Sequence, residues 1–335
     1  MRLFLAALTL VAGAMPASAQ WLDRPTPGIP RTADGKPNLA APAPRGPDGK
    51  PDLTGIWNGP DPAPRPDPAD IKPWVKALIP QRQQEFFKTR PAYACLPSGP
   101  EAEQFAGWKR ILQTPTAIAI LDDNLTYRLI HMDGRQLETD PAPSWMGYSV
   151  GRWDGDTLVV DSVGFNDKTW VSRRGLSHTE ALRMTERYRR TDLGHLQVEV
   201  TFADPGAYAK PWGFTANMAL AADTDMLEAV CERSSDHWST RTTETAVHVP
   251  PEVMARYVGI YSGIYQGNPR TARISLSNGQ LFVSSGEGDA QPLVPRSETL
   301  FEGTLGYKFE VDDKGVATHV TEIHVSGGYK YARRQ

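Results

Sequence analysis

Trp145 to Asp167 reads WMGYSVGRWDGDTLVVDSVGFND, and the fold class turns on its first half. Gly147-Tyr148-Ser149-Val150-Gly151 is a literal G-x-S-x-G, the pattern of a serine-hydrolase nucleophile elbow. An elbow needs a strand, a sharp turn at the serine and then a helix. Here Gly151 leads into Arg152-Trp153-Asp154-Gly155-Asp156, and Asp-Gly between two alternating apolar runs is a hairpin signal. Ser149 is therefore expected to be a strand serine, its flanking glycines letting a neighbouring chain approach closely.

The same texture continues outward. Thr116–Asp123 (TAIAILDD), Leu125–Met132 (LTYRLIHM), Met146–Trp153, Asp156–Phe165, His195–Phe202 (HLQVEVTF) and Gly213–Leu220 (GFTANMAL) are short and rich in β-branched or aromatic residues. Turn pairs such as Asp123-Asn124, Asp133-Gly134 and Leu193-Gly194 separate them. Strands with tight turns at this spacing predict a mainly β chain, an antiparallel barrel or sandwich rather than a βαβ fold.

Upstream, Asp70 to Arg90 has helical composition, but Pro73 and Pro80 predict two short helical pieces. From Pro25 to Pro68 the chain is proline-rich and holds an imperfect repeat, DGKPNL at Asp34 to Leu39 and DGKPDL at Asp48 to Leu53. Turn and extended-chain signals of this kind predict an extended segment that wraps the folded body or stays partly loose near the leader. Leu53 to Trp57 is apolar enough to be a first strand or a surface anchor. Beyond Ala246, Pro250-Pro251 can start a short helix, and period-two runs closed by glycine turns continue to Arg334. That makes a second, smaller antiparallel β domain of about 85 residues. The expected organisation is a leader over 1–19, a Pro-rich extended segment over 20–69, a main β domain over 70–246 and the small domain over 247–335.

The leader has Arg2, an apolar run from Leu3 to Val11 and Ala17-Ser18-Ala19, the marks of a secretory signal peptide. The mean hydropathy is -0.43, and the apolar run is too short to span a bilayer. The chain is expected to be periplasmic or secreted. Its two cysteines, Cys95 and Cys231, are then expected to pair. A net charge of -3 gives no electrostatic reason to expect nucleic acid. No cofactor motif is present.

Chemistry is sought in Gly164 to Arg190, GFNDKTWVSRRGLSHTEALRMTERYRR. Ser177 and Glu180 fit a helical capping box, but the run into Asp192-Leu193-Gly194 favours a strand. As a strand, one face carries His178, Glu180, Leu182, Met184, Glu186 and Tyr188, and the other is a solvent face with arginines. His178 and Glu180 would stand about 7 Å apart on one face and could converge on a ligand. His178 is the candidate acid or base, Glu180 its partner, and Asp167 a further catalytic carboxylate. Asn166, Trp170, Trp212 and Glu186 are candidate substrate-binding residues, the tryptophans as stacking platforms. His178-Thr179-Glu180 is also an H-x-E to which His131 or Asp236-His237 could add ligands, but it is too weak a signal to assign a metal.

SWMGYSVGRWDGDTLVVDSVGFNDKTW, SHTEALRMTERYRR, DPGAYAKPW and GKPDLTGIW resemble a group of secreted acidobacterial and proteobacterial proteins, which implies export and conveys no chemistry. VPPEVMARYVGIYSG and the strand-rich chain after it resemble the small lipocalin-like β domain appended to beta-lactamase-related serine hydrolases. The S-x-x-K machinery of those hydrolases does not precede it, so their activity does not carry over. The functional expectation is an exported enzyme using general acid/base chemistry on a small neutral molecule, such as a glycoside or plant-derived aromatic. The rival is a non-catalytic carrier of an apolar ligand. An enzyme should turn His178 and a carboxylate into one pocket, and a carrier should show an aliphatic and aromatic cavity.

Overall fold

Asp154 and Thr157 pair across a two-residue turn between β5 (Tyr148–Asp154) and β6 (Thr157–Val163), with Gly155 at φ +59°. Glycine takes that left-handed backbone without a Cβ clash, which is why Asp-Gly marks the turn. The structure, a computed structural model, describes residues 25–334, apart from 61–63, 86, 232–245, 266–267, 286–289, 304 and 325–326. The expected leader, 1–19, lies outside the described residues.

Around the hairpin, nine strands close into a barrel. The other seven are β1 (Gly55–Asn58), β2 (Lys109–Gln113), β3 (Ala117–Asp122), β4 (Tyr127–His131), β9 (Arg183–Arg190), β10 (His195–Ala203) and β11 (Trp212–Leu220). In ring order they run β1, β2, β3, β4, β5, β6, β9, β10, β11 and back to β1. Alternating directions cannot close on an odd ring, so one neighbouring pair must run parallel. That pair is β4 and β5, in register over Ile130↔Ser149 and His131↔Val150. Residues 132–147 supply the long return that a parallel pair requires. Gly151 permits the close approach here: a Cβ on it would come within 2.5 Å of Met132 Sδ and 2.9 Å of Ile130.

The six strands expected from apolar alternation are β3, β4, β5, β6, β10 and β11. The strand reading of Gly164–Arg190 holds from Arg183 onward, where Met184, Glu186, Tyr188 and Arg190 point inward. Upstream lie the small hairpin of β7 (Trp170–Ser172) and β8 (Leu176–Ser177) and a turn over 178–182. The helical expectation needs correcting: one helix, α1 (Pro73–Gln84), replaces two pieces. Pro73 sits at the helix start, where no N–H is needed, and Pro80 is held inside. An internal proline costs about 3 kcal/mol. Tertiary contacts offset that cost: Val75 is buried, Ile79 packs on the core, and Arg82 donates 2.7 Å bonds to Gly175 O and Ser177 Oγ.

The Pro-rich segment wraps the barrel as two similar clips. In each, an arginine bridges the proline that follows Gly-Lys, Arg31 to Pro37 and Arg45 to Pro51. Each guanidinium donates back to the turn glycine carbonyl, Gly35 at 3.0 Å and Gly49 at 2.7 Å. Each also forks onto a carboxylate of the body, Asp223 for Arg31 and Asp156 for Arg45. Between the clips, Leu39 and Ala41 accept from Gly194 and Leu193 N–H.

After α2 (Pro251–Met254), a second barrel is built from β12 (Gly259–Tyr265), β13 (Asn268–Ser277), β14 (Gln280–Ser285), β15 (Gln291–Pro295), β16 (Leu300–Glu302), β17 (Gly306–Val311), β18 (Ala317–His324) and β19 (Gly327–Arg333). Neighbours keep chain order, and β12 closes on β19. Eight is even, so this ring closes with antiparallel pairs alone. Its core is separate, built on Tyr257, Tyr261, Phe301, Phe309 and Tyr331. Among the described residues no helix is long and apolar enough to cross a membrane.

Cys95 and Cys231 are joined by a disulfide across 136 residues of sequence. Removing so long a cross-link relaxes the unfolded chain, so Cys95→Ser/Cys231→Ser should lose about 2–5 kcal/mol of stability. Guanidinium denaturation of the oxidised and variant chains, with far-UV circular dichroism to confirm retained β structure, measures it.

Candidate binding site

The inward faces of the first barrel are mostly aliphatic, but one sector is charged. Arg128 on β4 is the centre. Its Nε donates to Ser149 Oγ at 3.0 Å, one Nη to Glu186 Oε1 at 2.8 Å, and the other to Ser162 Oγ at 2.7 Å and to Glu186 Oε2. Tyr188 OH donates to Glu186 Oε1 at 2.7 Å, and the two serine hydroxyls meet at 2.9 Å. Glu186 is fully buried, which charge tolerates only when paired and hydrogen-bonded. Burial alone would lower the Arg128 pKa, but the Glu186 charge and hydrogen bonds outweigh it and hold the pKa above its usual range. Burial, and then the same carboxylate, raise the Tyr188 phenol well above its ordinary value.

A second buried pair lies beside the first. Lys109 on β2 faces Asp122 on β3 in register, with Nζ 2.5 Å from Oδ1. Lys109, Asp122 and Arg128 border a cavity of about 40 Å³. Lys109, Asp122, Arg128, Tyr188, Glu101 and Gln104 supply polar wall, and Ile111, Ile120, Met146, Met184, Met218 and Phe165 the apolar wall. Phe105, in the 3-10 turn Ala102–Ala106, covers one side and packs edge-on against Phe214 at 5.6 Å. About 10–15 Å³ holds one water, so the space as it stands takes a few waters or a small group.

The two cations at this wall have N–H groups to spare. Arg128 carries five N–H groups and uses four; Lys109 carries three and uses one. The surplus donors belong to residues that border the cavity.

The sequence-expected residues fall elsewhere, Glu186 excepted. His178 is 2% exposed, and both ring nitrogens are engaged, Nδ1 with Thr179 O at 2.8 Å and Nε2 with Thr169 Oγ1 at 2.6 Å. A carbonyl only accepts, so Nδ1 carries the proton and Nε2 accepts from the threonine. Burial lowers its pKa, favouring this neutral form. His178 sits behind the cavity wall: its ring meets Phe165 edge-on at 6.3 Å, and Thr169 presses on Gly99, another wall residue. Glu180 is exposed at the turn over 178–182, so the expected convergence with His178 is not formed. A turn, unlike a strand, does not return residues i and i+2 to one face, and Asp204 holds this one by accepting from Thr179 N–H and Oγ1.

Asp167 is exposed, and Asn166 organises its own loop, its backbone N–H donating to Ser144 O and its side chain accepting from Lys168 N–H. Trp170 is buried under the Arg82 guanidinium at 4.2 Å. Trp212 packs on Phe202 and Tyr208 at 5.0 and 5.3 Å. Neither tryptophan borders the cavity. Ser149, the elbow-like serine, is a buried strand residue bonded to Arg128 and Ser162. His131 lies on β4, and Asp236 and His237 fall outside the described residues. Among the described residues no group of three or more His, Cys, Asp or Glu side chains is placed to hold a metal.

No family model and no curated protein matches this chain. Among solved structures, a crystal structure of SurE with D-Leu is similar at 10% identity over 58% of this chain and 40% of that chain. Its TM-score of 0.21 carries no argument about fold or function.

The site's own chemistry sets two expected outcomes. Arg128→Met strands the Glu186 carboxylate in the barrel and should cost about 3–5 kcal/mol in urea denaturation, most of it regained in Arg128→Met/Glu186→Leu. His178 gives the second. Unfolded, its imidazole protonates near the ordinary 6.5, and folded it protonates lower. Its contribution is therefore present above the ordinary value and is lost as the pH falls below it. His178→Asn should be less stable at neutral pH and show a flatter decline on acidification, read from denaturation midpoints between about pH 7.5 and 5.5.

Proposed function

We propose that the first barrel is the binding module of an exported protein, taking a small molecule with an apolar body and oxygen acceptors at one end. An aromatic or aliphatic carboxylic acid fits that description. The observation that carries the reading is the spare N–H groups of Lys109 and Arg128 bordering a cavity whose apolar wall is methionine, isoleucine and phenylalanine and whose acids are Asp122 and Glu101. A carboxylate or carbonyl accepts those hydrogen bonds, and a charge-assisted bond of this kind is worth about 1.5–3 kcal/mol. Met146, Met184 and Met218 are unbranched and re-pack around different shapes. A guest larger than a few atoms displaces the Phe105 cover.

This reading is nearer the carrier than the enzyme expected from sequence. The cavity is not purely apolar, as a carrier of hydrocarbon requires, and His178 does not border it. Lys109 and Asp122 take over the polar role given to His178 and Glu180.

Calorimetric titration of the purified chain with a panel of aromatic acids and glycosides tests it. Aromatic acids should bind, and Lys109→Met/Asp122→Asn, which removes the pair without stranding a charge, should weaken them about tenfold or more. Binding unchanged in that variant sinks the reading. Turnover of a panel member that disappears in His178→Ala reinstates the acid/base enzyme.

A further inference from the structure

Of the two buried ion pairs beside the cavity, only one crosses the parallel seam. Arg128 links four strands, whereas Lys109 reaches a single partner, Asp122. The strands of that pair, β2 and β3, are already joined by backbone over five residue pairs, Lys109↔Asp122 to Gln113↔Ile118. Replacing a buried ion pair of this kind by well-packed apolar residues is commonly neutral or stabilising, so stability does not explain it. Lys109 is also set apart from the other lysines: its side chain is 8% exposed, and theirs are half-buried or exposed.

Strand register fixes what surrounds this ammonium. Lys109 stands opposite Trp57 on β1 and Asp122 on β3. Asp122 offers Oδ1 to Nζ at 2.5 Å, and its Oδ2 accepts from Thr126 Oγ1 at 3.4 Å. Ile120, two residues before Asp122, is opposite both Ile111 and Arg128. Arg128 therefore lies one row along the barrel wall, about 7 Å away in the strand direction. Lys109, Asp122, Arg128, Ile111 and Ile120 all border the cavity of about 40 Å³. A primary amine, its carboxylate and a guanidinium with one uncommitted N–H thus meet around apolar space.

We propose that Lys109 is a nucleophile that condenses with an aldehyde or ketone in this cavity and holds it as an imine. The inference rests on the reading of the cavity as a site for guests with an oxygen acceptor at one end, and adds covalent capture of carbonyl compounds. Lysine suits the step, because a compact amine in apolar surroundings adds to a carbonyl carbon and a guanidinium does not. Asp122 takes a proton from the ammonium, and the freed amine bonds to the carbonyl carbon. The carbonyl oxygen collects two of the three ammonium protons and leaves as water, while the third stays on nitrogen. Lys–NH3+ and O=CHR thus give Lys–NH+=CHR and H2O, with no oxidant, no reductant and no change of charge. The cation ends where it began, beside Asp122. Arg128, one row away, is the donor for the carbonyl oxygen as negative charge develops on it.

Reductive trapping on the full chain provides the test. One molar equivalent of propanal, or of benzaldehyde, is added with sodium cyanoborohydride, which reduces an imine to a stable secondary amine, and the labelled lysines are mapped by peptide mass spectrometry. Lys109 should carry at least about tenfold more label than any exposed lysine, because the cavity holds the aldehyde against the amine. Asp122→Asn removes the counter-ion of the protonated imine and should lower the Lys109 label about tenfold, leaving the exposed lysines as they were. Should that variant fail to fold, Phe105→Ala keeps both partners, opens the cover and should raise the Lys109 label from benzaldehyde more than that from propanal. Lys109 labelled no faster than the exposed lysines, or undiminished in folded Asp122→Asn, overturns the proposal. If aromatic acids still bind in that case, the binding reading stands without the imine; if they do not, both fall.

Discussion

Arg128 ties four strands of the first barrel together across its parallel seam. A closed ring of nine strands must contain a parallel neighbour pair, and here β4 and β5 meet over only two residue pairs. From β4 the guanidinium reaches Ser149 on β5, Ser162 on β6 and Glu186 on β9. Side-chain hydrogen bonds thus cross the seam where backbone pairing is short. The planar five-donor fork of arginine suits that task, and a lysine there could not reach three strands at once.

The same network shapes what the interior can bind. Once charge is buried to close the ring, its neighbours must satisfy it, so Tyr188 and the two serines turn inward and the aliphatic packing is interrupted. A small cavity remains where Lys109–Asp122 and Arg128–Glu186 lie near each other among methionines. Closure and the candidate site are thus one arrangement. His178, a neutral imidazole held by Thr169 and Thr179, supports the Phe165 side of the wall.

Part of the site was legible from residue order. Once β9 was read as a strand, alternation placed Met184, Glu186 and Tyr188 on the inward face, and they are there. Arg128 was hidden because LTYRLIHM looks like an ordinary half-buried strand with its arginine outside. Lys109 and Asp122 were missed for a related reason: KRILQ is too polar to read as a strand, and Asp122 resembles a turn residue beside Asp123-Asn124. In the N-terminal segment the DGKP repeat is plain in the residue order, but nothing local marks the arginine three residues before each Asp-Gly. Arg31 and Arg45 are what dock the clips, through Asp223 and Asp156.

Residue order settled the local features. Period-two alternation and Asp-Gly turns specify strands and hairpins because pleat and turn geometry act within a few residues. They also exclude a nucleophile elbow at Ser149, since a hairpin rather than a helix comes after it. The ring count, the parallel seam and the identity of each buried charge's partner came only with the assembled barrel. Those depend on contacts such as Arg128 to Glu186 and Cys95 to Cys231, between segments far apart in the chain. No local pattern encodes them, because a buried acid takes its partner from whichever strand closure brings alongside.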